Sequence, residues 1–129
     1  MATENWKTEI VRKLNSDSTL RGLVGNRVYP AFLANIKDPK FPCINFFSEG
    51  GSKTLSYVSY ALMSVRFWVY SQKSFNEVDS IMDRVLVALN NQVVTSTDGT
   101  YIFEQFSEPV ELADEDLRGS TLAFTVRKV

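Results

Sequence analysis

The sequence contains no histidine and only one cysteine, Cys43. Without histidine, neither a Ser-His-Asp triad nor the usual Cys/His zinc ligand sets can be assembled. Cys43 has no partner for an internal disulfide and lies in an apolar run, so we interpret it as a buried apolar side chain. A nucleophilic role would need an activating base such as histidine. The sequence therefore predicts a chain without catalytic residues, cofactor or metal.

An excess of one charge sign is also missing, because 14 Lys and Arg oppose 15 Asp and Glu, for a formal net charge of −1. Domains that grip nucleic acid usually carry a strongly basic surface. No apolar run approaches the roughly 20 residues needed to span a bilayer, and the N-terminus lacks the order of a signal peptide. We expect a protein that is made in the cytoplasm, avoids membranes and reads no nucleic-acid sequence.

The length of 129 residues fits a single domain, 1–129, that can fold without disulfides or metals. Apolar spacing predicts helices at 4–15, around Leu20 to Val24, and at 75–90. It predicts strands at 27–29, 43–47, 57–71, 92–96, 100–106 and 120–129, with loops at 31–41, 49–53 and 108–118. Strands in runs around one long helix indicate an α+β fold, with a mainly antiparallel sheet and helices packed on one face.

The helix at 75–90 carries the clearest local signals. Ser74 and Glu77 have the spacing of a capping box, in which the hydroxyl and the carboxylate each bind a backbone N–H. One face of this helix is apolar and consists of Val78, Ile81, Met82, Val85, Leu86 and Leu89. After the helix, Asp98-Gly99 between two β-prone runs predicts a hairpin.

The strand predicted at 57–71 has large apolar groups on both faces. One face is expected to pack under the helices. The other face needs a different cover, which is either a second protein surface or a further helix layer formed by residues 4–24. The sequence leaves both possibilities open.

The segment 49–57 is predicted to be a projecting, mobile arm that becomes ordered on a partner. Gly50, Gly51 and Ser52 supply the flexibility. Leu55 and Tyr57 supply contact groups that a free loop would not need, so both are predicted interface residues.

The two ends of the chain differ in charge. Residues 1–40 hold seven Lys and Arg against four acids, whereas residues 101–118 hold six acids against Arg118 alone. The acidic segment predicts a subunit or partner interface formed by Glu111, Asp114, Glu115, Asp116 and Arg118. Opposite faces on one chain favour head-to-tail association into a ring, while ordinary surface scatter is the alternative. A magnesium site among these carboxylates is less favoured than a solvated loop, because the run lacks EF-hand spacing.

Four segments together resemble the small tail-completion proteins of long-tailed bacteriophages. These segments are Leu-Arg-Gly-Leu-Val-Gly-Asn-Arg-Val-Tyr-Pro at 20–30, Phe-Pro-Cys-Ile-Asn-Phe at 41–46, Val-Arg-Phe-Trp-Val-Tyr-Ser at 65–71, and Val-Leu-Val-Ala-Leu at 85–89. They occur in the order that the family shows, and the resemblance covers most of the chain.

The resemblance implies a tail terminator, also called a tail-to-head joining protein. Such proteins form a hexameric ring on the tail tube protein, stop tube polymerisation and present a docking surface to the head-tail connector protein. The family has no catalytic residues, and its members reside in the virion neck or tail after assembly in the host cytoplasm. Genomic DNA would pass through the ring. Two alternatives stay open: a head-closure or neck protein, and a small non-catalytic α+β binding domain.

Overall fold

The computed structural model describes residues 5–31, 33–53, 61–96, 99–114 and 116–128. The helices in these ranges are α1 (Asn5–Asn15), α2 (Ser18–Val24) and α3 (Phe75–Leu89), with a short 3-10 turn at Leu33–Asn35. The strands are β1 (Val28–Tyr29), β2 (Cys43–Lys53), β3 (Ala61–Ser71), β4 (Gln92–Ser96), β5 (Gly99–Gln105), β6 (Val110–Asp114) and β7 (Leu117–Lys128). The mixed α/β architecture and the predicted order of the elements are confirmed, with two exceptions given below.

Helix α2 begins and ends at residues that satisfy its free backbone groups. Asp17 caps α2, because its carboxylate accepts a hydrogen bond of 3.0 Å from the Leu20 N–H. The same carboxylate binds Arg84 of α3 at 2.7 Å, which ties the two helices together. Gly25 ends α2 with a φ of 61°, a conformation that glycine adopts readily.

At the start of α3, only one of the two hydrogen bonds of the predicted capping box is formed. The Ser74 hydroxyl accepts a hydrogen bond of 3.2 Å from the Glu77 N–H, as a capping box requires. The Glu77 carboxylate does not return to Ser74 and instead accepts a hydrogen bond from the buried Ser71 hydroxyl. The Ser71 oxygen in turn accepts from the Ser74 N–H at 3.4 Å. Ser71, the last residue of β3, therefore accepts the hydrogen bond from the Ser74 N–H that was predicted for Glu77, and its hydroxyl donates to Glu77.

The seven strands form one sheet in the order β1-β2-β3-β7-β5-β4, and β6 also pairs with β7. All described pairs are antiparallel except β1 with β2. Because β5 and β6 share the same side of β7, the sheet has two rows. The upper row follows the register Val28, Ile44, Val69, Ser120 and Glu111, and ends at β1 and β6. The lower row ends at β2 and β4.

Two predicted loops are strands. Residues 49–53 continue β2, and the extra residue between Ser48 and Gly51 is accommodated as a bulge against β3. Glycine in a strand often marks such a bulge, and the pattern was wrongly interpreted as a flexible turn. Residues 110–114 form β6, and β7 already begins at Leu117, so the predicted acidic loop at 108–118 is a hairpin arm.

All three helices contribute to one core on the same face of the sheet. The predicted face of α3 is buried except for Leu86, which is only partly buried, and β3 contributes Val65, Phe67 and Val69. Trp6 of α1 lies 6.5 Å from Phe46, which stacks on Phe67 at 5.1 Å between ring centroids. The alternative of a second helix layer on the opposite face is therefore wrong. Helix α1 contacts both β1 and β4, so the sheet curls around this core.

Candidate interaction surfaces

The predicted interface residues fall into two groups. Leu55, Tyr57 and Glu115 lie outside the described residues. Asp114 is the last residue of β6, and Glu111 and Asp116 are exposed on the same hairpin. Arg118 is the second residue of β7 and faces the helices, where its guanidinium lies 5.9 Å from the Phe75 ring centroid. The structure therefore joins the acidic positions along one edge but turns Arg118 towards α3.

Strand β6 forms an edge of the upper row, and among the described strands it pairs only with β7. Residues 108–116 contain five acids and no Lys or Arg. Exposed apolar groups accompany them, since Phe106 is 72% and Val110 is 55% exposed. The alternation of Val110 and Leu112 with Glu111 was the signal that could have identified this strand. We call residues 106–116 the acidic edge.

The start of the acidic edge is fixed to β7 by an unusual connection. The N–H groups of Phe106 and Ser107 both donate to the Ala123 carbonyl, at 2.9 and 3.4 Å. The Ser107 hydroxyl accepts from the Ala123 N–H at 3.1 Å. These bonds hold the chain beside β7 between the end of β5 and the start of β6, so the segment that leads into β6 has a defined position on the sheet.

The other end of the upper row is formed by β1 and the connection to β2. The Asn45 side chain donates to the Ala31 carbonyl at 3.2 Å, and Arg27 Nε donates to the Pro42 carbonyl at 2.8 Å. These bonds hold the connection against the sheet face that carries no described helix, where Asn45 is buried. Lys37 and Lys40 are exposed on the connection. Residues 27–40 hold three Lys and Arg against one acid, and we call them the basic edge.

Cys43 is buried under the basic edge, as the sequence predicts. Burial raises the pKa of its thiol to about 12, although the charge of Arg27 acts in the opposite direction. The thiolate is the reactive form of cysteine, so this side chain is inert at neutral pH.

The helix-free face of the sheet carries an aromatic cluster at its centre, formed by Phe47, Arg66, Trp68 and Thr121. The Phe47 and Trp68 rings stack at 4.6 Å between centroids, and the Arg66 guanidinium lies 5.9 Å from the Trp68 ring. Arg66 also donates to the Thr121 hydroxyl at 3.4 Å. Both rings are only half-buried among the described residues. Half-buried aromatic side chains beside an arginine have the composition of protein interfaces.

Tyr70 continues this face towards the acidic edge by lying over Gly119. A Cβ at position 119 would be 2.9 Å from Tyr70 Cδ1 and 3.2 Å from the Val69 carbonyl oxygen. Glycine is therefore required for the close approach of the tyrosine ring to β7.

Within the described ranges, no three His, Cys, Asp or Glu side chains are placed to share a metal ion. No helix in those ranges is long and apolar enough to cross a membrane. The two edges and the aromatic cluster combine charged, aromatic and exposed apolar side chains, a composition that is found at protein interfaces.

No protein-family model and no curated protein sequence matches the chain. Among solved structures, the chain is similar to one in a structure described as the virion of a native gene transfer agent particle. The TM-score is 0.73 at 15% sequence identity, and the alignment covers 98% of each chain. A likeness of this extent at such low identity establishes a shared fold over the whole length.

Proposed function

We propose that this chain is a structural virion protein that forms a ring on the end of a phage-like tail tube. In this role it stops tube polymerisation and joins the tail to the head connector, with genomic DNA passing through the ring. The ring is proposed to be hexameric, as the resemblance to tail-completion proteins implies. The observation that carries the proposal is the whole-chain likeness to a chain of a gene transfer agent virion.

The positions of the four resembling segments support the tail-completion role. The segment 20–30 forms the end of α2, its Gly25 cap and β1, and 41–46 leads into β2. The segment 65–71 ends β3, and 85–89 ends α3. The first three segments meet in the upper row of the sheet, although they are far apart in sequence. Three of the four segments thus belong to one connected part of the fold.

The surfaces also suit a subunit that meets different partners on different sides. A ring subunit needs two unlike surfaces for its neighbours, and the acidic and basic edges supply them. It also needs a surface for the tube or the connector, and the aromatic cluster on the helix-free face offers half-buried rings for that contact. We also propose that the chain is not an enzyme, since without histidine it cannot assemble a Ser-His-Asp triad.

The proposal can be tested by assembling the tube protein encoded in the same genome with and without this chain. We expect the added chain to shorten the tubes in proportion to its concentration, because each capped end stops growing. Electron microscopy of the capped tubes should show one ring at a single end. Tubes of unchanged length without terminal rings would contradict the proposal.

The same preparation separates the alternatives. A head-closure or neck protein would bind the connector and leave tube length unchanged. A small binding domain would bind neither structure and would have the mass of a monomer or dimer in solution. Val85→Asp serves as the negative control. It places a charge at a fully buried position, which should unfold the chain and abolish both the ring and the capping.

A further inference from the structure

Strand β6 of the acidic edge and strand β1 of the basic edge lie at the two ends of a single row of the sheet. Across that row, Val28 of β1 is connected by register through Ile44, Val69 and Ser120 to Glu111 of β6. The charge difference seen along the sequence is therefore also a difference between two ends of one structural unit. A subunit with unlike ends can join identical copies head to tail, and such contacts close into a ring when the rotation permits.

Two basic side chains of the N-terminal third already have contacts within the subunit. In α1, Arg12 already pairs with Glu9, and the Lys7 ammonium lies 5.6 Å from the Trp6 ring centroid. By contrast, Lys37 and Lys40 are exposed on the connection that borders β1. Ile36 is half-buried beside them and offers apolar surface to a neighbour.

The β4 end of the lower row offers no charge that could complement a charged end of another copy. Its terminal strand β4 has the sequence Gln-Val-Val-Thr-Ser and carries no charge. Helix α1 also contacts β4, so part of that end is occupied within the subunit. Charge complementarity therefore singles out the upper row as the place where copies meet.

We propose that the acidic edge of one copy docks on the basic edge of the next copy, with Glu108 and Glu111 facing Lys37 and Lys40. This interface specifies how the ring of the proposed function closes, and it rests on that function. The exposed Phe106 and Val110 supply apolar burial at the contact, while the charges fix which ends meet. Like charges at this contact would repel, so the orientation is selective.

The test uses two charge-reversed variants of the full chain. Glu108→Lys/Glu111→Lys makes the acidic edge basic, and Lys37→Glu/Lys40→Glu makes the basic edge acidic. At low ionic strength, sedimentation should show that each variant alone self-associates about tenfold more weakly than the parent, or worse. An equimolar mixture should recover the association of the parent, because the two variants alternate around a ring with an even number of subunits.

The control Asp79→Lys/Asp83→Lys changes two exposed acids on α3 and shifts the net charge as much as the acidic-edge variant does. This control should associate like the parent, and circular dichroism should show all variants folded. The interface is wrong if the parent stays monomeric at low ionic strength, if either variant associates normally, or if the mixture behaves like its components.

Failure of the interface and failure of the proposed function give different results when association and tube capping are both measured. The charge-reversed variants could fail to associate alone, recover on mixing and yet never cap tubes. That result would support the interface and contradict the tail role. If each charge-reversed variant alone caps tubes at the same length as the parent, the tail role is supported and the interface is contradicted.

Discussion

The two faces of the sheet differ although they are built from the same strands. On the helix-covered face, β3 presents Val65, Phe67 and Val69, all fully buried. On the helix-free face, the same strand presents Arg66, Trp68 and Tyr70, all half-buried among the described residues. On the first face these three side chains are all apolar, while the second face mixes charge, hydroxyl and aromatic groups.

This difference separates residues that stabilise the fold from residues that suit a partner. Apolar burial is the main favourable term in folding, and the helix-covered face supplies it. Aromatic and arginine side chains that keep partial contact with solvent are enriched at interfaces. The comparison therefore predicts that changes on the two faces will affect stability and assembly in different proportions.

The largest expected effect is that of a charge placed on the helix-covered side. Val85→Asp buries an unpaired carboxylate between α3 and the sheet, and we expect it to remove most of the roughly 5–15 kcal/mol that stabilises a domain of this kind. Val87→Asp is the matched control, because Val87 lies on the same helix and is 59% exposed. Denaturant unfolding should show near-parental stability for Val87→Asp, and a Val85→Asp protein that melts like the parent would contradict the assigned packing.

A second comparison uses neighbouring residues on opposite faces. Phe67→Ala opens a cavity among packed rings and should lower the free energy of unfolding by about 3–5 kcal/mol. Trp68→Ala should lower it by about 1–2 kcal/mol despite the larger ring, because it loses mainly the stack on Phe47 and the contact with Arg66.

Among variants that are still folded, Trp68→Ala should impair assembly more than Phe67→Ala does. Trp68→Ala is expected to reduce tube capping, measured as longer tubes at the same concentration. Equal losses of stability for Phe67→Ala and Trp68→Ala would show that the helix-free face belongs to the core of the subunit.

The smallest predicted effect concerns the ion pair between α2 and α3, away from either sheet face. Burial raises the pKa of Asp17, but the hydrogen bonds from the Leu20 N–H and Arg84 and the charge of Arg84 outweigh it, so the pKa is lowered. A lowered pKa means that the ionised group stabilises the fold above its unfolded pKa of about 3.9 and that this stabilisation is lost as pH falls through the folded value.

Asp17→Asn keeps an oxygen that can cap α2 and removes only the charge. At neutral pH we expect the variant to be about 1 kcal/mol less stable than the parent, and below about pH 4 the difference should shrink. Urea titrations at several pH values measure this, with the exposed Asp83→Asn as control. A difference that is constant down to pH 2 would show that the Arg84 pair does not stabilise the fold.

Sequence patterns predicted the helices and the central strands because their signals are local and strong. The spacing of Val78, Ile81, Val85 and Leu89 fixed the buried face of α3, and Ser74 fixed its start. The Glu77 bond to Ser71 was not predictable, since it depends on where the end of β3 lies relative to α3.

The two missed strands had local signals that pointed to loops. Gly50 and Gly51 favour turns, and only pairing with β3 shows that they belong to a bulged strand. In β6 the acids around Val110 and Leu112 obscured a short alternating pattern, and β7 supplies the pairing that makes it a strand. The sequence predicted an interface at the acidic segment but left its basic partner anywhere in residues 1–40, because β1 and β6 become ends of one row only in the sheet.

The burial of Cys43 has a practical consequence for chemical labelling. It is the sole thiol of the chain, and its raised pKa and complete burial make it unreactive towards maleimides in the native state. A cysteine introduced on the surface, for example at position 111 or 37, would therefore be the single site for a dye or spin label. The native protein thus needs no cysteine-free background before distances between subunits are measured.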